Sequence, residues 1–286
     1  MQGKKKVQVV APLFDRKQCT QETHILLIDN TINVAGNEDV MVAGGSGNDT
    51  LSGGTGDDTI YGGDGDDTVI YGGGADTMDG GPGDDTASFE LVASNGIVLD
   101  MANNTVNVGA DQSTLLNFED IFGSAQADTI TGDNGNNAIY GGAGADTLDG
   151  GLGNDVLYGG DGDDTIKYSG GTDTIDGDAG SDFVSFENVT TGGVVVDLAN
   201  DTVDVGSFQS SLLDLENIFG TAQADNITGD AQNNIIKGGD GDDTISGGAG
   251  ADGLYGGAGA DTFEFSSAAE TGVGDGNRDV IFDFNA

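Results

Sequence analysis

Aspartates that recur every nine residues are the side chains of this sequence best suited to chemistry. From Gly44 onward, segments such as GGSGNDTLS, GGTGDDTIY and GGDGDDTVI follow one another in register, each with Asp as its sixth residue. We call each segment a nonad and number its positions one to nine. Stacked carboxylates spaced about 4.8 Å apart repel one another, so columns of them require a cation. Oxygen ligands without His or thiolate favour a hard cation, and a flexible glycine-rich cage favours Ca²⁺ over Mg²⁺.

The nonads fall into three blocks that are separated by two similar spacers. The spacers are 34 residues long and identical at 19 positions, so blocks and spacers were duplicated together. The predicted organisation is an N-terminal segment with a basic start and short strands (1–43), block 1 with five nonads (44–88), spacer 1 (89–122), block 2 with seven nonads (123–185), spacer 2 (186–219), block 3 with five nonads (220–264) and a C-terminal cap segment (265–286).

Each nonad divides into six turn residues and three strand residues. Glycines at positions one, two and four are expected to supply the positive φ angles of a tight turn. Position eight is apolar throughout, which predicts a very short strand with one inward side chain, flanked by outward ones. The predicted core is therefore a thin ladder of position-eight residues: Leu51, Ile60, Val69, Met78, Ala87, Ile130, Ile139, Leu148, Leu157, Ile166, Ile175, Val184, Ile227, Ile236, Ile245, Leu254 and Phe263.

The spacers carry a different pattern from the nonads. Each contains an apolar run (IVLDMA or VVVDLA), a polar pair and then TVNV or TVDV, which predicts two strands around a turn. Each ends in LLNFEDIFG or LLDLENIFG, which we interpret as one metal-free coil. The alternative is a loose linker, which the period-two apolar pattern disfavours.

The charge balance excludes several classes of partner. Fifty acidic residues against eight basic ones give a formal charge of −42, so nucleic acid and anionic membranes are repelled. No apolar stretch approaches the ~18 to 20 residues of a membrane span, so we expect a soluble chain without membrane insertion. The apolar run at 7–14 is broken by Pro12 and is not interpreted as a Sec signal. Cys19 is the single cysteine, which excludes an internal disulfide.

The repeated GGxGxDxUx pattern resembles the RTX (hemolysin-type) calcium-binding repeats. This resemblance implies an all-β fold, a right-handed parallel β-roll or β-solenoid, with the two spacers as inserted hairpin-like elements. In that family two nonads make one coil, so aspartates 18 residues apart share Ca²⁺ and glycine carbonyls complete the coordination. The resemblance implies multiple calcium ions, held by Asp49, Asp67 and Asp85 with Asp58 and Asp76 opposite; by Asp128, Asp146, Asp164 and Asp182 with Asp155 and Asp173; and by Asp225, Asp243 and Asp261 with Asp252.

Two kinds of departure from the pattern occur near the block ends. Asn137 and Asn234 replace the aspartate in the second nonad of blocks 2 and 3, and glutamines at 126, 223 and 232 replace a nearby position-four glycine. We expect the first coils of these blocks to be poor in metal. Tyr71 and Tyr168 replace a first glycine, and we expect them to distort one turn without loss of the aspartate that follows.

The sequence offers no catalytic constellation. It lacks the HExxH and GxSxG motifs as well as the EF-hand pattern, and neither its only histidine, His24, nor Cys19 has an identifiable partner. Paired acids such as Asp66 and Asp67 recur every nine residues, which indicates a structural role. The lysines at positions 4 to 6 are expected to form a solvated tail.

The segment FEFSSAAETGVGDGNRDVIFDFNA resembles the one that follows the repeats in serralysin-like proteases, mannuronan epimerases and other type I secreted proteins. The resemblance implies a secreted, extracellular, bacterial protein that is exported by a type I secretion apparatus. We expect a monomeric, non-enzymatic calcium-binding module that folds on Ca²⁺ after secretion and acts as a structural, adhesive or secretion-supporting unit. The alternative is the accessory C-terminal region of a secreted protease, lipase or alginate epimerase.

Overall fold

The structure, a computed structural model, describes residues 29–265 and 278–283. Within these ranges the regular elements are β-strands, apart from one 3₁₀ turn at Leu198–Asn200. The chain divides into two compact units. The first runs to Gly132 and includes Asn137–Gly142, and the second comprises Asp133–Asn136 and the residues from Ala143 onward.

The described part of the first unit contains thirteen short strands in two sheets. The sheet orders are β1-β3-β5-β7-β11-β13 and β2-β4-β6-β10-β9-β8-β12. In chain order the strands are β1 (Thr31–Asn33), β2 (Met41–Ser46), β3 (Thr50–Ser52), β4 (Thr59–Asp64), β5 (Thr68–Ile70), β6 (Thr77–Asp79), β7 (Thr86–Ser88), β8 (Ile97–Asp100), β9 (Thr105–Val108), β10 (Asp111–Leu116), β11 (Asp120–Phe122), β12 (Thr129–Thr131) and β13 (Ala138–Ala143).

The second unit repeats this construction. Its strands are β14 (Thr147–Asp149), β15 (Val156–Asp161), β16 (Thr165–Lys167), β17 (Thr174–Ala179), β18 (Phe183–Ser185), β19 (Val194–Asp197), β20 (Thr202–Val205), β21 (Phe208–Leu213), β22 (Asn217–Phe219), β23 (Asn226–Thr228), β24 (Ile235–Asp240), β25 (Thr244–Ser246), β26 (Gly253–Ala258), β27 (Thr262–Phe263) and β28 (Val280–Ile281). The sheet orders are β15-β17-β21-β20-β19-β23-β25-β27 and β14-β16-β18-β22-β24-β26-β28.

Strand pairing within a block follows an 18-residue register. Successive strands alternate between the two sheets, and each pairs in parallel with the strand two further along the chain. Thr50 lies opposite Thr68 in the first unit, and Thr147 lies opposite Thr165 in the second. Two nonads therefore make one coil, and the predicted all-β parallel β-roll is confirmed in each unit.

The core between the two sheets is the predicted ladder. The position-eight residue is buried in every nonad except the last, where Phe263 is half-buried. Its neighbours at positions seven and nine are more exposed, as in the Thr77–Asp79 strand, because successive side chains of a strand point to opposite faces. Each coil thus contributes only two aliphatic side chains to the core.

Each spacer forms a three-stranded antiparallel meander, where the sequence pattern predicted two strands. In spacer 1, β9 pairs with both β8 and β10, while β10 pairs in parallel with β6 and β8 with β12. Spacer 2 has the same arrangement in β19, β20 and β21. The outer strands thus continue the parallel pairing of the roll, and the middle strand is the insertion. The third strand was missed because its first two residues are exposed and its first buried residue is a serine, Ser113 or Ser210, so no apolar alternation marks its start.

The glycines of the turn serve two purposes, which corrects the expectation that all three supply positive φ. At positions two and four, Gly63 has φ 124° and Gly65 has φ 125°, angles that side chains with a Cβ rarely adopt. At position one, neither Gly44 nor Gly62 has a positive φ. A Cβ there would meet a carboxylate and a carbonyl oxygen, so position one is glycine for lack of space.

The described parts of the two terminal segments extend the roll. Strand β1 precedes block 1 and β2 runs into its first residues; these strands bury Ile32 and Val42, and β28 pairs in parallel with β26. The basic cluster, Cys19, His24 and the 7–14 run lie outside the described residues. No helix in the described ranges is long and apolar enough to cross a membrane.

Candidate calcium sites

The aspartates at position six form hydrogen-bonded ladders from coil to coil. The backbone N–H of Asp49 donates to Oδ1 of Asp67 (2.8 Å), and that of Asp67 donates to Oδ1 of Asp85 (2.7 Å). The same bond, 2.7 to 3.2 Å long, joins Asp58 to Asp76, Asp146 to Asp164, Asp155 to Asp173, Asp164 to Asp182, Asp225 to Asp243 and Asp243 to Asp261. The structure thus brings together aspartates 18 residues apart, as the family resemblance implied.

The second carboxylate oxygen of many of these aspartates is buried without a hydrogen-bond partner. These atoms are Oδ2 of Asp49, Asp58, Asp67, Asp85, Asp164, Asp182, Asp243 and Asp252. A buried polar oxygen that makes no hydrogen bond costs roughly 1 to 3 kcal/mol, and more when it is charged. The repetition of this cost from coil to coil indicates that these oxygens bind something other than the protein.

Each of these oxygens faces the first glycine of its own nonad. A Cβ placed on Gly44 would lie 2.8 Å from Cγ of Asp49 and 2.6 Å from the carbonyl oxygen of Gly62. A Cβ on Gly159 would likewise meet Oδ2 of Asp164 and the Gly177 carbonyl oxygen. The missing side chain leaves a cradle lined by a carboxylate oxygen and a carbonyl oxygen of the next coil.

The electrostatics of the ladders are unfavourable for the protein alone. Burial, and then the neighbouring carboxylates, raise the pKa of Asp85 to about 6 and that of Asp182 to about 7, although a backbone hydrogen bond opposes the shift in each case. Burial also raises the pKa of Asp49, Asp58, Asp67 and Asp164. The described residues include only three basic side chains, Lys167, Lys237 and Arg278, to offset this charge.

The available ligands suit a hard cation. Among the described residues, no group of three or more His, Cys, Asp and Glu side chains converges on one point. An ion at these cradles would therefore be held by carboxylate and backbone carbonyl oxygens together. Oxygen-only coordination at flexible, glycine-rich turns fits Ca²⁺.

Asp128 and Asp225, at the start of blocks 2 and 3, differ from the other predicted ligands. Ser124 donates its N–H to Oδ2 of Asp128 (2.6 Å) and its hydroxyl to Oδ1 (2.8 Å). Thr221 makes the same two bonds to Asp225. Ser and Thr stand where other nonads have the second glycine, which was the available sequence signal. Both carboxylates are thus satisfied by the protein, consistent with first coils poor in metal.

The substituted Asn234 is also satisfied internally. Its side-chain amide donates to the Glu216 carbonyl oxygen (2.8 Å), and its Oδ1 accepts the N–H of Asp230 (3.0 Å). Asn137 donates similarly to the Glu119 carbonyl oxygen (3.2 Å). The uncharged amides at these two positions therefore need no cation.

Tyr71 and Tyr168 occupy the position of a first glycine and remove its cradle. The Tyr71 ring is buried against Phe89, with centroids 5.4 Å apart, and its hydroxyl donates to the Gly74 carbonyl oxygen (2.8 Å). Asp76 of this nonad donates its N–H to the Ser113 hydroxyl rather than to an aspartate. Tyr168, Asp173 and Ser210 repeat the arrangement. Burial raises the pKa of Asp76 and of Asp173 to about 7.

The remaining predicted ligands lie at position six as expected. Asp146 and Asp155 are buried in the second unit, and a Cβ on Gly150 would meet Asp155. Asp261, in the last nonad, is half-buried, and its Oδ1 accepts the N–H of Asp243 at 3.2 Å.

Position five has a role that the sequence did not reveal. Asp57 and Asp163 are exposed, but Oδ1 of Asp57 accepts the N–H of Ala75 (3.0 Å) and Oδ1 of Asp163 accepts that of Ser181 (3.1 Å). In these two nonads a buried and an exposed carboxylate bond therefore run in opposite directions along the chain.

Three further carboxylates act like a position-six aspartate although they lie outside the nonads. Glu119 accepts the N–H of Asp85 at 2.9 Å, and Glu216 accepts that of Asp182 at 2.8 Å. Near the C-terminus, Asp279 accepts the N–H of Asp252 at 3.1 Å, and its Oδ2 is buried without a partner. Their sequence contexts, FED, LEN and RDV, lack the glycines that would have marked them.

The nonad geometry agrees with a family model. The model of the RTX calcium-binding nonapeptide repeat (4 copies) matches residues 43–78, 69–87, 118–148, 140–175, 149–184, 216–240 and 228–263. Among solved structures, the extracellular lipase LipA from Serratia marcescens is similar over 67% of this chain and 38% of its own, with 20% sequence identity and a TM-score of 0.22. No curated protein matches significantly. Since the repeat matches cover more than half of its residues, the chain belongs to the RTX calcium-binding nonapeptide repeat family.

Proposed function

We propose that this chain is an extracellular calcium-binding β-roll module that folds on Ca²⁺ after export. The observation that carries the proposal is the column of buried Oδ2 atoms without partners, each facing a glycine cradle. RTX repeats are characteristic of secreted bacterial proteins.

Residues of two successive coils would hold each ion together. Oδ2 of Asp67 and the Gly80 carbonyl oxygen line the cradle at Gly62, while Oδ1 of Asp67 holds the preceding coil through Asp49. When bound, Ca²⁺ supplies the positive charge that the ladder lacks. The carboxylates whose negative charge Ca²⁺ neutralises are the same ones that hydrogen-bond successive coils together, so ion binding and folding are coupled.

Calcium affinity links this coupling to location. Extracellular calcium modules have Kd values of about 10⁻⁴ to 10⁻³ M, so such sites are empty in a low-calcium cytosol and filled outside. The chain would stay unfolded for passage through a type I secretion apparatus and fold on arrival. Isothermal titration calorimetry tests this, with affinities in that range expected. Nanomolar affinity would contradict the proposal, because the chain would then fold before export.

The role of the folded module follows from its architecture. The described residues form an all-β solenoid of repeats and inserted spacers, which supports a structural module rather than a catalytic domain. We therefore propose a structural, adhesive or secretion-supporting role for a monomeric chain, without catalysis.

A further inference from the structure

The last turn of each spacer is shorter than a nonad and carries a glutamate. Asp120 pairs with Thr86, the seventh residue of its nonad, so Asp120 is equivalent to position seven. The Asn117 carbonyl oxygen lies beside Gly80 where a nonad has the carbonyl of its first glycine, so Asn117 is equivalent to position one. Only Phe118 and Glu119 lie between them, where a nonad has five residues. The same shortened turn occurs in spacer 2 between Asp214 and Asn217, which pairs with Phe183.

The glutamates span the gap that the shortened turn leaves. Oε2 of Glu119 accepts the N–H of Asp85 (2.9 Å), the bond that Oδ1 of the next aspartate makes elsewhere in the ladder. Glu216 makes the matching bond to Asp182 (2.8 Å). A glutamate is one methylene longer than an aspartate, so it reaches the ladder from a turn with three fewer residues.

A buried, partnerless oxygen faces each of these turns. Asp85 and Asp182 are both 0% exposed, and the Oδ2 atom of each lacks a hydrogen-bond partner. A Cβ on Gly80 would meet both the Asn117 carbonyl oxygen and Asp85, and a Cβ on Gly177 would meet the Asp214 carbonyl oxygen and Oδ2 of Asp182 (2.9 Å). The cradle of the nonads is therefore present where the nonad pattern has ended.

Two residues adopt an uncommon conformation to form these cradles. Asn117 has φ 54° and Asp214 has φ 45°, in the left-handed region that side chains other than Asn and Asp rarely enter. The carbonyl is thus presented by a backbone conformation that position-one glycines such as Gly44 and Gly62 do not adopt.

We propose that Glu119 and Glu216 each complete a calcium site at the junction between a spacer and the block before it. The first site would comprise Oδ2 of Asp85, the Asn117 carbonyl oxygen and Glu119. The second would comprise Oδ2 of Asp182, the Asp214 carbonyl oxygen and Glu216. This inference rests on the proposed calcium binding by the nonads, and it replaces the expectation of a metal-free coil. Calcium at these sites fixes the end of each meander to the roll.

Calcium counting on the full chain tests the proposal. Glu119→Gln and Glu216→Gln keep an oxygen that can accept the backbone bond but remove the charge. The matched controls are Glu90→Gln and Glu187→Gln, which remove the same charge from exposed spacer glutamates that bond only to Ser88 and Ser185 among the described contacts. Equilibrium dialysis at saturating Ca²⁺ should give one ion fewer for each test variant, two fewer for the double variant and the parent number for both controls.

The outcomes separate this inference from the proposed function. A parent that binds calcium while Glu119→Gln and Glu216→Gln bind equally many ions with equal affinity overturns the two junction sites alone. A parent that binds no calcium overturns the proposed function. If the variants do not fold, anomalous scattering from crystals of the parent grown with Ca²⁺ decides. One ion bound to Glu119 and a second ion bound to Glu216 are expected, and the absence of both ions overturns the inference.

Discussion

The backbone N–H of Asp49 donates a 2.8 Å hydrogen bond to Oδ1 of Asp67, one full coil further along the chain. The other oxygen of Asp67 is buried, has no partner and faces the cradle at Gly62. One carboxylate therefore joins two coils and presents a free ligand atom. This double use explains why position six is so uniformly aspartate and why calcium and folding should be coupled.

Removing the charge at Asp164 should weaken calcium-dependent folding much more than removing it at Asp163. Asp164→Asn retains the oxygen that accepts the Asp146 bond but deletes a buried cradle charge, whereas Asp163 is exposed. Loss of one calcium site by Asp164→Asn removes roughly 2.7 kcal/mol of folding free energy at 100 times Kd. The control, Asp163→Asn, weakens at most one exposed hydrogen bond, which is worth about 0.5 to 1.5 kcal/mol. The measurement is the calcium midpoint of folding for each variant. Equal shifts would show that position six is not the ligand position.

Filling a cradle should abolish its site. Gly159→Ala places a Cβ against Oδ2 of Asp164 and 2.7 Å from the Gly177 carbonyl oxygen, so the ion and the methyl group compete for one space. The control is Gly253→Ala, whose Cβ would have the Phe282 ring 3.3 Å away as its nearest neighbour. Calorimetry should find fewer ions in the first variant and the parent number in the second. Parent stoichiometry in Gly159→Ala would exclude the cradle as the binding place.

Restoring the consensus glycine at position 71 should destabilise the protein. Tyr71 is buried against Phe89, and its hydroxyl bonds to the Gly74 carbonyl oxygen. Large-to-small core substitutions cost about 3 to 5 kcal/mol, so Tyr71→Gly should lower the urea midpoint in saturating calcium strongly. Tyr71→Phe should cost about 1 kcal/mol. A Tyr71→Gly variant as stable as the parent would show that the ring is not a core element.

Without calcium, mild acid should favour the fold. Burial, and then neighbouring carboxylates, raise the pKa of Asp76, Asp173 and Asp182 to about 7, from an ordinary value of 3.8. A raised folded-state pKa means that the folded chain binds protons more tightly than the unfolded one. This contribution is complete below the ordinary pKa and is lost as pH rises toward 7. Circular dichroism in calcium-free buffer should therefore show more β-structure at pH 5 than at pH 8, and the reverse order would contradict the shifts.

The regular part of the fold was predictable because each nonad repeats the same pattern of turn glycines, aspartate and one apolar strand residue. The apolar residue at position eight predicted the core, and the 18-residue spacing implied by the family resemblance placed Asp49 beside Asp67. The glycine at position one was expected to provide a positive φ angle, whereas it is needed because a Cβ would not fit. Its role depends on space between two coils, which a local pattern does not contain.

The irregular parts escaped prediction because their signals depend on contacts across coils. Ser124 satisfies Asp128 through a substitution that looks minor in the sequence. Glu119 joins the ladder because of a shortened turn, whose length is visible only once Asp120 is paired with Thr86. The third strand of each meander likewise depends on its parallel pairing with the preceding block.

The most direct test of the central claim is far-UV circular dichroism of the full chain while Ca²⁺ is removed with EGTA and then restored, with Mg²⁺ as the control. Eight cradles face a partnerless Oδ2, and calcium at about ten times Kd would contribute roughly 1.4 kcal/mol at each independent site, so calcium should decide between the expanded and the folded chain. We predict loss of the β-spectrum on chelation, recovery in millimolar Ca²⁺ and no recovery in Mg²⁺. A β-spectrum that is unchanged after chelation would contradict calcium-driven folding.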